Sequence, residues 1–210
     1  IAKNWPDKRV EVINHGENRG VGAAIVTGYR NALKLDTDAI VVVGADAQMD
    51  PDEMSGLLNP LVSDEADYIK GDRLGHPELS SRMPLSRRIG NVALTVLTRW
   101  SSGYGHIRDS QCGYTAISAR TLRRLDLNSL YCRYGFPNDI LAKLAEIKAR
   151  VIDHPVTPIY GREASGIRIY KVVFPILWLL LRSGCRRLLR QRSKHARLNR
   201  NPSSQVIQRR

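Results

Sequence analysis

Hydrophobic and polar positions along the 210-residue chain change period several times. Residues 10–13 (VEVI) are a short β-branched run, which predicts a strand. A loop with three glycines follows at 15–22 (HGENRGVG). Residues 23–35 then carry Ala24, Val26, Ala32 and Leu33 among their apolar positions, a helical pattern. Residues 39–43 (AIVVV) are apolar without a break, as in a parallel strand covered on both faces. Pro51 opens a helix through Leu61, with Asp50 as N-cap and Glu53 at the third helical position, a capping box. Residues 67–71 (DYIKG) predict another strand and a turn. Strand, helix, strand, helix, strand over the first seventy residues means an α/β fold with a largely parallel central sheet flanked by helices.

A loop rich in Pro, Ser and Arg spans 75–88, and a helix is predicted over 89–100. A Gly/Ser turn and the segment Asp109-Ser-Gln-Cys-Gly-Tyr114 come next. Residues 121–125 and 138–149 read as helical, and 151–158 as a strand edged by prolines. Residues 172–181 hold no charge. Ten residues are about half of what a spanning helix needs, so this block, with Trp178 and the arginines behind it, predicts a helix lying in the headgroup region of a membrane. A core-packed terminal helix is the competing reading. Beyond Ser193 the chain is polar and free of aromatics, which predicts a disordered basic tail. The expected organisation is therefore a domain over 1–171, an interfacial helix over 172–192 and a tail over 193–210.

Net charge is +13, which by itself suggests nucleic acid or an anionic surface as partner. Its placement changes that picture. Residues 182–210 contain ten Lys/Arg and no Asp or Glu, so the preceding body is nearly balanced. It lacks the basic, aromatic-lined surface of a nucleic-acid-binding domain, and no nucleic-acid partner is expected. Three scattered cysteines, Cys112, Cys132 and Cys185, make neither a disulfide framework nor a zinc site, and a reducing, cytosolic setting fits them. The first residues lack the apolar core of a signal peptide. His76 and His106 fall on loops with no evident partner.

Candidate chemistry clusters just after residues 39–43, at the carboxyl end of the predicted strand, where open α/β sheets bind ligands. Asp46 and Gln48 stand at alternate positions on one loop. A hard cation such as Mg²⁺ or Mn²⁺ takes oxygen ligands and only one or two protein carboxylates beside substrate phosphates. Plain turn residues, with Asp50 capping the next helix, are the alternative.

The motif Asn18-Arg-Gly-Val-Gly22, a helix containing Gly28 and the run VVVGADAQMDP resemble the donor half of family-2 glycosyltransferases. The resemblance is to the polyprenyl-phosphate sugar transferase group, which includes the dolichol-phosphate-mannose-synthase-like enzymes. That family has Asp-x-Asp-x-Gln at this strand end; here Gly44 replaces the first Asp, while Asp46 and Gln48 match. Lys70-Gly-Asp-Arg73, Arg87-Arg-Ile-Gly-Asn91, Asp109-Ser-Gln-Cys-Gly-Tyr114, Phe136-Pro-Asn-Asp139 and Ser165-Gly-Ile-Arg168 continue the likeness in order. It implies a GT-A fold, with the first strand and helix missing ahead of residue 10, and a donor that is a nucleotide-diphosphate sugar.

The resemblance also implies roles. Asn18, Gly20, Gly22, Arg73 and Arg87 are expected at the donor. Asp46 and Gln48 hold Mg²⁺ or Mn²⁺, with Asp46 also counted as catalytic. Asp109, Gln111 and Arg168 are expected at a polyprenyl-phosphate acceptor, and Asp139 occupies the general-base position. A base is needed for a hydroxyl acceptor; a phosphate acceptor is already ionised. Each arginine has solvated surface as its bland alternative, Asp109 has a turn cap, and Asp139 a helix-start charge. The expected enzyme is inverting and works peripherally on the cytoplasmic face of an anionic membrane. Competing readings are a catalytically silent donor-binding remnant, a nucleotidyltransferase and a basic nucleic-acid-binding protein.

Overall fold

The computed structural model describes residues 7, 9–75, 85–157, 159 and 169–200, with 86, 87, 169–173 and 194–200 described by backbone alone. Its elements run α1 (Val21–Ala32), β1 (Ala39–Val42), a 3-10 turn (Pro51–Glu53) leading into α2 (Met54–Val62), β2 (Tyr68–Asp72), α3 (Leu85–Ser102), β3 (Thr115–Ser118), α4 (Ala119–Arg123), a second 3-10 turn (Leu127–Ser129), α5 (Phe136–Glu146), β4 (Val151–Pro155) and α6 (Ile169–Arg200).

The sheet order is β1-β3-β2-β4. β2 and β4 pair in parallel, while β3 pairs antiparallel with both β1 and β2. β1, β2 and β4 therefore point the same way, as the strand–helix alternation predicts, and β3 runs against them between two. Nothing in the pattern foretold β3: it is four residues long and preceded by a polar loop.

Strand periodicity sorts the core into two layers. Tyr68 lies opposite Ile117, and both face a layer formed by Val26 and Tyr29 of α1, Leu122 of α4 and Phe136, Ile140, Leu141 and Leu144 of α5. The next pair, Ile69 and Ala116, faces the other way, toward Leu57 of α2, Tyr114 and Val156. Ile140, Leu141 and Leu144 are completely buried, each contributing about 1.5–3 kcal/mol of burial.

Two strand expectations are corrected. Residues 39–43 do not form a strand closed on both sides. β1 is the sheet edge among the described residues and is only half-buried, because no neighbour covers its outer side. Residues 10–13 join no ladder, and Val10, Val12 and Ile13 stay exposed. A strand exists only through a partner's backbone groups, and these residues have no ladder partner among the described residues.

The capping box is also half right. Asp50 caps, accepting from the Asp52 N–H at 2.9 Å. Glu53 does not reach back; its carboxylate accepts from the Thr157 N–H at 2.9 and 3.0 Å. The first turn is wound as 3-10, and the carboxylate turns to a donor that β4 leaves free as it exits the sheet. α2 is thereby tied to the end of β4.

α1 begins at Gly20, whose φ of 94° suits glycine. The Ala23 N–H donates to the Cys132 carbonyl at 3.0 Å, and a Cβ on Gly22 would collide with the Tyr131 carbonyl. These glycines let the start of α1 press against residues 131–133. Gly22→Ala is expected to lower stability by about 1–3 kcal/mol, as overpacking does, read as an earlier midpoint in urea at unchanged slope. An unshifted midpoint would mean that this contact is loose.

α6 runs past the expected boundary at Ser193 to Arg200. Lys194, Ala196, Arg197 and Leu198 are good helix formers, and the next proline is Pro202. Residues 193–200, expected in a disordered tail, are thus helical, and the rest of that tail lies outside the described residues. Ile176, Leu180 and Gly184 are buried and pack toward α3 and α5, while Phe174 and Trp178 are exposed. The core-packed reading of the apolar block thus holds for the inner face, and the outer face leaves Phe174 and Trp178 at the surface. Among the described residues no helix is long and apolar enough to cross a membrane.

Candidate functional site

β1, β2 and β4 end on one side of the sheet, and antiparallel β3 begins there. Four stretches of chain therefore converge: 43–50, 72–75, 109–114 and 156–159. Backbone bonds lock them together. The Gly71 N–H donates to Tyr114 O at 2.8 Å, Val156 N–H to Asp72 O at 3.1 Å and Ile159 N–H to Gln48 O at 3.3 Å. The Tyr114 hydroxyl donates to Asp50 O at 3.0 Å.

Asp46 stands exposed on the first stretch. Its Oδ1 accepts from the Gln48 N–H at 3.2 Å, across a left-handed Ala47 at φ 55°. This turn explains Gly44: a Cβ there would lie 2.9 Å from Asp46 Oδ1. The replacement of the family's first Asp leaves room for Asp46 to fold back over its own loop. Gln48 lines a small pocket with Arg73, Cys112, Tyr114 and Thr157. Asp46 lines an open groove of about 650 Å³ along β1 and α1, and Met49 borders both spaces.

Arg73 and Asp109 form a fork. Nε donates to Oδ2 at 2.7 Å and Nη2 to Oδ1 at 3.1 Å, with Asp109 fully buried and Arg73 nearly so. Burial pushes the Asp109 carboxyl up; the Arg73 charge and bonds, Lys70 and the Gln111 N–H outweigh it and hold it below the ordinary value. Lys70 is fully buried beside them and donates to Cys112 O at 2.6 Å. Burial pushes its ammonium down and raises the Cys112 thiol.

Asp109 and Gln111 are fixed from below by α3 and α5. Thr95 and Ser110 hydroxyls are 3.1 Å apart. The Asn138 amide donates to Thr98 Oγ1 at 2.6 Å and approaches Ser110 Oγ at 3.5 Å. Gln111 Nε2 donates to Ser110 Oγ at 2.8 Å.

The structure thus brings Gln48, Arg73, Asp109 and Gln111 together, with Asp46 on the adjoining rim. Other expected residues lie elsewhere. Asp139 lines neither space. It is buried, and its Oδ2 accepts from the Tyr131 N–H at 2.9 Å, so it holds the 131–133 segment on which α1 rests. Burial, its largest influence, raises its carboxyl. Asn18 is exposed and accepts from the Gly20 N–H at 2.9 Å, shaping the turn before α1. Arg87 lies on α3, described by backbone alone, and Arg168 falls outside the described residues, as does His76. His106 does have a partner: Nε2 is 2.7 Å from Val151 O.

Several contributors escaped sequence reading. Lys70, Ser110 and Asn138 lie within quoted motifs, yet only the packing shows that they support the site. Glu53 was read as a helix cap. A lysine inside an apolar strand run was the one available signal.

A hard divalent cation is implied by the likeness, and the donor set suits one. Asp46 offers an exposed carboxylate and Gln48 an amide oxygen. Among the described residues no group of three His, Cys, Asp or Glu side chains is arranged to hold a metal. That fits an ion ligated mainly by substrate phosphates and water.

A second carboxylate pair flanks the site. Asp72 is buried, ion-paired to Arg108 at 2.8 Å, and Asp153 accepts from the Arg108 N–H at 2.5 Å, leaving its Oδ1 without a partner. Burial, helped by Asp72, pushes Asp153 from 3.8 up to about 6. A raised carboxyl favours the folded state fully below 3.8, and this contribution is lost as pH rises through about 6. Asp153→Asn is therefore expected to stabilise by about 1 kcal/mol at pH 7.5, allowing for solvent at this half-buried group, with the gain gone at pH 4. Urea melts at the two pH values check it, and equal gains at both would contradict the assignment.

Comparison with known proteins bears on this geometry. The chain is 32% identical over 176 residues to the UDP-N-acetylglucosamine–dolichyl-phosphate N-acetylglucosaminyltransferase of Methanococcus voltae, covering 81% of this chain and 70% of that one. It is 29% identical over 161 residues to the undecaprenyl-phosphate mannosyltransferase of Micrococcus luteus, covering 73% and 65%. Its fold is similar to glucosyl-3-phosphoglycerate synthase from Mycobacterium tuberculosis, solved with Mg²⁺ and uridine diphosphate, at a TM-score of 0.60 and 17% identity. That likeness covers 83% of this chain and 56% of the other, so the chain spans little over half the length of that structure. The central sheet with flanking helices is the GT-A fold expected from the sequence. The model of glycosyl transferase family 2 matches residues 1–127, and to that family this chain belongs.

Proposed function

We propose that the protein transfers a sugar from a nucleotide-diphosphate sugar to a polyprenyl phosphate at a membrane surface, with inversion at the anomeric carbon. The observation that carries this reading is the convergence of Asp46, Gln48, Arg73, Asp109 and Gln111 where three parallel-running strands end. The named activities of the Methanococcus and Micrococcus relatives support the substrate classes.

Asp46 and Gln48 would hold Mg²⁺ or Mn²⁺ against the donor diphosphate. When bound, such an ion neutralises charge developing on the leaving diphosphate. The acceptor phosphate oxygen attacks the anomeric carbon, forming a new C–O bond as the bond to the nucleotide diphosphate breaks, and a single displacement inverts the centre. Because the acceptor is already ionised, no general base is required. Asp139 then serves to hold the 131–133 segment rather than to move a proton. Arg73, fixed by Asp109, presents positive charge at the pocket wall. Gln111 offers an amide beside it to orient the acceptor, and Arg87 and Arg168 are proposed as further phosphate contacts. The exposed face of α6 holds the protein at the bilayer on its cytoplasmic side.

The test is direct. Purified protein is incubated with labelled nucleotide sugars, polyprenyl phosphate in anionic vesicles and Mg²⁺, and the lipid phase is analysed for an acid-labile sugar phosphate. The expected result is labelled lipid that disappears with chelator. Donor binding without transfer would reduce the reading to a donor-binding protein.

A further inference from the structure

Met49 stands where the two spaces at the site meet. The open groove runs past Val43, Gly44, Ala45 and Asp46. The pocket on the other side, lined by Gln48, Arg73, Cys112 and Thr157 among others, measures about 20 Å³, room for about one water. Among the described residues that line either space, Met49 alone lines both.

Its side chain has a built seat. Sδ accepts from the Gly44 N–H at 3.1 Å. A Cβ on Gly44 would lie 3.4 Å from Met49 Cε, and a Cβ on Gly113 would lie 3.3 Å from it. Carbon atoms prefer separations of about 3.5–4.0 Å, so a side chain at either position would crowd the methyl group. Gly44 belongs to the stretch after β1 and Gly113 to the stretch before β3. Two converging stretches thus leave a slot for one methyl end. Gly44 serves Met49 as well as Asp46.

A methionine in a core is usually a filler, because its unbranched thioether adapts to irregular space. Filling accounts for one flank of Met49, which packs against the layer of Leu57, Tyr114 and Val156. It does not account for the other flank. The side chain is only half-buried and borders open groove between Asp46 and Arg73. In a single displacement the entering and leaving oxygens stand on opposite sides of the anomeric carbon. With the donor diphosphate at Asp46 and the acceptor phosphate drawn to the Arg73 side, the sugar between them lies at this junction.

We infer that Met49 is a specificity-determining residue for the transferred sugar. Its thioether is the wall against which the sugar ring lies, and its bulk ranks donors by the size of the group the ring carries. The inference rests on the sugar-transfer reading above and names the residue that sets sugar size, which that reading leaves open. Shortening the wall joins the small pocket to the groove and gives a larger substituent somewhere to go. Thickening it closes that space.

The experiment uses the full chain, polyprenyl phosphate in anionic vesicles and Mg²⁺. Two donors are compared that share the nucleotide the native protein accepts and differ only by an N-acetyl group in place of a hydroxyl. For uridine these are UDP-N-acetylglucosamine and UDP-glucose. An N-acetyl group outgrows a hydroxyl by about as many heavy atoms as Met49→Ala removes. The readout is the ratio of kcat/KM for the N-acetyl donor to that for the hydroxyl donor. In Met49→Ala this ratio is expected to rise at least about tenfold, and in Met49→Phe to fall by about as much, the range over which a small change in a pocket wall discriminates substrates. Both donors are read on the same sample, so any loss of folded protein cancels. A residue that only fills the core would slow both donors alike and leave the ratio where it was. An unchanged ratio in both variants, or a shift of the same sign in both, overturns the assignment, while transfer by the native protein leaves the sugar-transfer reading standing. If the native protein transfers sugar from no nucleotide donor, that reading fails and takes this inference with it.

Discussion

Replacing Asp46 by alanine is expected to reduce metal-dependent sugar transfer by at least about a hundredfold, the size of loss seen when a group stabilising leaving charge is removed. Stability should change by less than about 0.5 kcal/mol, since the side chain is exposed and gives up only one turn bond to the Gln48 N–H at 3.2 Å. The separation of the two effects is the point. A residue whose sole task is the turn would cost little activity. Asp46→Asn sharpens the comparison, because it keeps an oxygen for the turn while removing the charge that a hard cation requires. Initial rates across a Mg²⁺ and Mn²⁺ titration, for the native protein and both variants, provide the measurement. Full activity of the alanine variant, or of the native protein in chelator, would sink the assignment.

Arg73→Ala should be the most destabilising single change at the site, by about 3–5 kcal/mol, because it strands a fully buried Asp109 carboxylate. Lys70 is close enough to influence Asp109, yet its own ammonium is bonded to Cys112 O, so it replaces the fork incompletely. Removing both partners in Arg73→Ala, Asp109→Ala is expected to recover part of the loss, since no buried charge is left unpaired. The pH dependence has a definite sign. In the native protein Asp109 is held below its ordinary value, so its contribution is present above the unfolded value of 3.8 and is lost on acidification through the folded one. Without Arg73 only burial and weaker neighbours act, the carboxyl rises, and the deficit should shrink as pH falls toward 4. Urea melts of the three proteins at pH 7 and 4.5 test both claims. A single variant that loses under about 1 kcal/mol would mean that the fork is a surface contact.

The sequence by itself determined the alternation of strands and helices, because each period reflects which side of an element meets the core. It also determined the family, through motifs whose order survives from Asn18 to Asp139, and it made the loop bearing Asp46 and Gln48 legible as a polar cluster directly after an apolar run. Local chemistry sufficed for Asp50 as a cap, since a cap is made within three residues.

Tertiary structure alone decided the rest. That 10–13 joins no ladder and that β1 stands at a sheet edge among the described residues depends on how the strands assemble, as does the entry of β3 between β1 and β2 in the opposite direction. Glu53 left its cap for Thr157, more than a hundred residues away in sequence. Arg73 and Asp109 read as separate arginine and turn residues until the sheet joined them. Asp139 stands at the position expected of a base for a hydroxyl acceptor, and only the packing shows its carboxylate accepting the Tyr131 N–H. The helix over 89–100 was legible in the sequence, but not the direction in which its apolar stripe faces. Tertiary packing turns it outward: Thr95 and Thr98 face inward, where their hydroxyls meet Ser110 and Asn138, and a buried polar group needs such partners.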